Sequence, residues 1–218
     1  MENREDFEMV EGIEEIETDP FIEQLKIEDI PWIRLTTSYG RADEFEKYLT
    51  DIQKKNLGVI KEAMRQIECN IEHQSTLWAV SPIATVFLVR DFKRIIFEEE
   101  PDACSRYLAE KLLSIFIVIA EACKMPEGME HEEPLPSFQD MLKEEYLWPE
   151  EYTEEEDEIR YGEGPFQDDL FYSFYYYSFE ELKKLKPLLD KIKNQKLKEK
   201  LSDGIAELKE LLQENNNN

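Results

Sequence analysis

Cys69 and His73 stand four residues apart, the spacing that brings two side chains to one face of an α-helix. A thiol beside an imidazole can act as a nucleophile with its base, or as two ligands of a zinc ion. The residues around this pair complete neither role. No third ligand or orienting carboxylate stands at motif spacing. The only other histidine, in His131-Glu132-Glu133, lacks the rest of an H-E-x-x-H zinc pattern. Gly162 and Gly164 precede a proline instead of opening a helix, so they fall short of a phosphate-binding loop. No serine occupies a G-x-S-x-G elbow. Carboxylate pairs abound, but among 51 acidic residues they carry little information. The pattern reads as a core cysteine followed by polar residues at a helix end, with no catalytic residue, cofactor or metal expected.

The charge balance speaks to partners. Against those 51 acids stand 26 basic residues, a net charge of −25. Such a chain repels a nucleic-acid backbone and an anionic membrane surface; its acidity either attracts a basic protein partner or serves only to keep the chain soluble. Two acidic runs are the candidate contacts: Glu98, Glu99 and Glu100, and then Glu154, Glu155, Glu156, Asp157 and Glu158. Trp148 and Tyr152 lie beside the second run and are the expected aromatic anchors, with the carboxylates mainly speeding encounter. The lysines gather elsewhere, between Lys183 and Lys200.

These residues must be positioned by helices, because the apolar spacing is helical almost throughout. Asp19-Pro20 opens a short helix to about Glu28. Asp43 with Glu46 caps a helix over 43–55, and 56–73 carries Ile60, Ala63, Met64, Ile67 and Ile71 on one face. Ser81-Pro82 starts a helix to Phe97, and Pro101 opens another to about Lys124 that is apolar nearly all round, hence the expected core element. Strands and hairpin turns are not expected. Ser137 and Asp140 begin a helix ending near Leu147. Residues 150–158 read as an exposed, mobile loop by self-repulsion. In the aromatic tract from Phe171 to Phe179, Ser178 with Glu181 forms a capping box, or else one helix runs through from Gln167. Pro187 interrupts the apolar run beyond the tract.

The expected organisation is therefore an acidic leader over 1–29, an all-α core of stacked antiparallel helix pairs over 30–147, and an acidic loop over 148–165. Aromatic and lysine-rich helices packed on that core occupy 166–213, and a disordered tail covers 214–218. Three scattered cysteines imply no disulfide framework and a reducing, cytoplasmic setting. The N-terminus lacks the basic and apolar segments of a secretory signal. The longest apolar stretch, 112–120, is far short of the roughly 20 residues needed for a membrane span.

Several of these residues also carry a resemblance. Ile30-Pro31-Trp32-Ile33-Arg34-Leu35, then Ser38-Tyr39-Gly40-Arg41-Ala42-Asp43, then His73-Gln74-Ser75-Thr76 and Ala84-Thr85-Val86-Phe87-Leu88 occur in order. The combination resembles a family of bacterial HEAT-like helical-repeat proteins with a Trp, an Ala-Tyr-Gly-x-Ala element, His-Gln-Gly-Thr and Ala-Val-Pro-Phe-Leu. It covers about residues 30 to 90 and departs at Ser75, where the family has glycine, and at Thr85-Val86, where it has Val-Pro. The resemblance implies a HEAT-like α-solenoid without catalytic residues, in which Trp32, Tyr39, Gly40, His73, Gln74 and Thr76 are architectural. It further implies kinship with immunity proteins of secreted toxin systems, and hence a toxin domain, nuclease-like and cationic, as the partner. A general interaction scaffold docking through the aromatic tract is the alternative.

Overall fold

The computed structural model describes residues 19–124, 129, 132–164 and 166–214. The leader to residue 18, most of the proline-rich loop with His131, and the tail from 215 lie outside the described residues. The chain is mostly helical, with α1 (Pro20–Gln24), α2 (Phe45–Asp51), α3 (Leu57–Ile71), α4 (Val80–Ile96), α5 (Ala103–Ala122), α6 (Glu154–Glu163), α7 (Asp168–Lys183) and α8 (Gln195–Glu214). None of these is long and apolar enough to cross a membrane.

Local sequence explains the well-formed helices. The Asn56 side chain accepts from the amides of Gly58 and Val59 to start α3, whose expected apolar stripe is buried in full. Asp102 caps α5 through the amide of Ser105. That helix packs against α3, α4, α7 and α8, which is why it is apolar nearly all round. Its neighbour α4 is covered more completely still: every residue from Val80 to Val89 is buried. Phe92 of α4 meets Phe116 of α5 edge to face at 5.5 Å. At Gly204, where α8 approaches α5, a Cβ would lie 2.9 Å from Cδ2 of Leu113 and would force that side chain to shift.

The largest departure from expectation is extended structure. Strands β1 (Thr36–Thr37) and β2 (Gly40–Arg41) form one antiparallel hairpin, and β3 (Glu72–His73) and β4 (Thr76–Leu77) form another. The segment expected to be a helix end is thus a two-residue turn in which Gln74 and Ser75 both have positive φ, 51° and 63°. No Asn-Gly signal marks it. The Glu72 carboxylate accepts from the Ser75 amide and helps hold this costly backbone. Ser75→Gly should therefore raise stability by up to about 1 kcal/mol in urea unfolding. A loss would show that the serine is required.

Other boundaries also differ. The first helix ends at Gln24 because Arg90 takes the carbonyls of Ile22, Glu23 and Leu25 that a continuing helix would use. Asp43 does not cap α2, which starts at Phe45 after a turn closed by the Phe45 amide on the Ala42 carbonyl. Ser81 lies inside α4 instead of at its cap; its hydroxyl accepts from the Trp78 amide and donates to the Ile71 carbonyl. Ser137 and Asp140 do cap each other, but over a 3-10 turn (Phe138–Leu142) that stops short of Leu147. Of the two readings of the aromatic tract, a single α7 running on from Gln167 is the observed one.

Candidate partner-binding site

The acidic segment is a helix, not a loop. Thr153 and Glu156 form a reciprocal capping box, and four carboxylates in the first turn of α6 favour the positive end of its dipole. Composition predicts self-repulsion; the helix dipole and tertiary anchoring outweigh it.

That anchoring centres on Arg41, whose side chain is 3% exposed. Its guanidinium donates to both oxygens of Asp157 at 2.8 and 2.9 Å, and through Nη1 to the carbonyls of Ile33 and Pro149. It also lies over the rings of Tyr152, at 3.6 Å from the centroid, and Trp148, at 5.4 Å. The Arg41 hydrogen bonds hold the Asp157 carboxyl below the usual carboxylate range, and Arg160 adds to the effect. Arg34 fastens the preceding strap, donating to the Glu144 carboxylate and the Trp148 carbonyl while its own carbonyl accepts from the Trp148 amide.

Two tyrosines from the C-terminal third grip the two hairpins. Tyr161 of α6 donates to the Thr37 carbonyl at 2.8 Å, and burial pushes its hydroxyl up to about 12, so it stays a donor at neutral pH. Tyr175 of α7 accepts from the Leu77 amide beside the second turn. The hairpins also touch each other, with the Tyr39 hydroxyl 3.2 Å from Nδ1 of His73. Trp32 is buried, stacked on Phe45, with its indole donating to the Ile27 carbonyl. Gly40 (φ 127°) closes the first turn, and Thr76 pairs with His73 across the second. Trp32 is thus a core residue, whereas Gln74 is exposed and Tyr39 is 68% exposed.

The Cys69 and His73 pair is not assembled. Helix α3 ends at Ile71, so His73 leaves the face that Cys69 occupies, and no hydrogen bond joins them among the described residues. Cys69 is exposed and not a core residue as expected, because position 69 falls off the buried stripe of α3.

The ten candidate contacts do not form one surface. Glu98, Glu99 and Glu100 lie at the C-terminal end of α4, where Asn194 donates to the Glu99 carbonyl and Lys193 to that of Ile96. The α6 region packs at the other end of that helix, through Trp78 and Tyr161. Seventeen residues of α4 separate the two by about 25 Å. Glu98 is paired with Arg94, and Asp157 and Glu156 are spent on anchoring and capping. Trp148 is buried as a platform under Arg41 and Arg160, while Tyr152 keeps 40% of its surface. Glu154, Glu155 and Glu158 stay exposed, with no cation within ion-pair distance among the described residues. Twelve acids and one base, Arg160, fall between residues 144 and 169, so the segment that carries α6 is strongly acidic. Arg41, Tyr161 and Tyr175 had no sequence signal; their partners are 98 to 124 residues away.

Comparison of the chain with protein-family profiles, with curated proteins and with solved structures finds no match.

Proposed function

We propose that this chain is a non-catalytic binding protein that neutralises a basic protein partner, in the manner of an immunity protein against a nuclease-like toxin domain. In this reading the helices form a HEAT-like stack of pairs and the outer face of α6 is the docking surface. The observation that carries it is a pinned acidic helix. Arg41 and Thr153 hold α6 in place through Asp157 and Glu156, leaving Glu154, Glu155 and Glu158 free of cationic partners among the described residues. Rigid unpaired carboxylates set up a negative potential before the partner arrives, and they need little reordering when it does. A nuclease surface, built to attract phosphate, supplies the complementary positive charge. The aromatic tract supports the scaffold alternative less well, since Phe174, Tyr175 and Phe179 are buried in the core.

Association should then be electrostatically steered. The on-rate for a basic nuclease domain should fall at least tenfold between low and high salt. In the Glu154→Gln, Glu155→Gln, Glu158→Gln triple variant, the on-rate at low salt should drop and its salt dependence flatten. Stopped-flow kinetics with circular dichroism of the variant would check both. Equal rates for wild type and triple variant at low salt would sink the proposal.

A further inference from the structure

The inward face of α6 presents Asp157, Arg160 and Tyr161 to the anchoring residues. The stripe opposite carries Glu155, Ile159 and Gly162 at i, i+4 and i+7, bordered by Glu154 and Glu158. Ile159 is 53% exposed, and a Cβ at Gly162 would meet nothing within 4 Å. Helix formation asks for neither residue, since glutamate and alanine are better formers than isoleucine and glycine. A single exposed apolar side chain is ordinary on a protein surface. Ile159 differs in its setting: an open shelf on one side, carboxylates on the others, and a surrounding segment with a single base.

We propose that this face docks an amphipathic basic segment of a protein partner. An apolar side chain of that segment seats on Ile159 above the Gly162 shelf, and flanking lysines or arginines meet Glu154, Glu155 and Glu158. The charge complementarity selects the occupant: an apolar segment without cations would leave those carboxylates desolvated and unpaired. The inference rests on the binding role proposed above and adds an apolar anchor to it.

Two helical peptides of equal positive charge test it, one of lysine and leucine, the other of lysine and alanine. Wild-type protein should bind the leucine peptide about tenfold more tightly, the equivalent of partly burying one leucine against Ile159. Ile159→Ser should remove this preference while leaving affinity for the alanine peptide unchanged. Phe97→Ser, which removes an exposed ring at the far end of α4, should leave the preference intact. A preference that persists in Ile159→Ser, or vanishes in Phe97→Ser, overturns the inference and leaves the binding role standing. The triple glutamine variant should weaken both peptides. Unchanged affinity there, or no binding by wild type, overturns the binding role itself.

Discussion

Arg41→Ala is expected to destabilise the protein by about 3 to 5 kcal/mol, the usual consequence of removing one partner of a buried ion pair. The guanidinium is 3% exposed and satisfies the Asp157 carboxylate and two backbone carbonyls at once. Its loss leaves all three short of a donor and removes the cation that lies over the Tyr152 ring. Lysine is not expected to rescue the site, because an ammonium cannot bridge both oxygens of Asp157 while reaching Ile33 and Pro149. Urea unfolding would give the global loss. Limited proteolysis should show new cleavage in 150–164 before the rest of the chain opens.

The same variant carries a pH signature. The folded-state pKa of Asp157 is depressed, with its hydrogen bonds from Arg41 as the first cause. Its contribution is therefore complete above the unfolded carboxylate value, about 3.9, and is lost as pH falls through the folded value. The stability gap between wild type and Arg41→Ala should narrow as pH drops below about 4. A gap that stays constant with pH, or a loss under about 1 kcal/mol with α6 still protected, would show that the pair does not hold the helix.

The second large effect lies in the core, away from the acidic face. Phe116→Ala should cost about 3 to 5 kcal/mol, because the ring is fully buried between helices that close packing prevents from collapsing into the void. It also loses the edge-to-face contact with Phe92. Thermal unfolding should move down by roughly 10 °C for a chain of this size. The two variants separate overall stability from local anchoring. Phe116→Ala should leave partner affinity of the folded molecule intact, whereas Arg41→Ala should weaken it by releasing α6. Equal losses of affinity in both would mean that the acidic face has no special dependence on its anchor.

The features legible along the chain are those that local chemistry specifies. The buried stripe of α3 comes from apolar residues at helical spacing, and its start from Asn56. The all-round apolar character of α5 is legible likewise, since a helix between layers has no wet face. The capping box of Thr153 and Glu156 is equally local, yet charge repulsion argues against a helix there. The local dipole offsets part of it, and the rest of the anchoring comes from Arg41, 116 residues from Asp157. The hairpin turn at Gln74 and Ser75 escapes for a similar reason. Neither residue advertises positive φ, and Tyr175, which accepts from the adjoining Leu77 amide, belongs to a distant helix.

Helical class, the main apolar faces and the sign of the charge follow from residue type and from neighbours within a few positions, so the chain read in order suffices for them. Which carboxylates stay free of a cation is set by long-range packing. Ion pairing is settled by what the fold brings within reach. Asp157 is taken by Arg41 from across the chain and Glu98 by Arg94 on its own helix, while Glu154, Glu155 and Glu158 meet no cation among the described residues. The same packing set Glu98–Glu100 and α6 at opposite ends of α4, a separation that no spacing along the chain encodes.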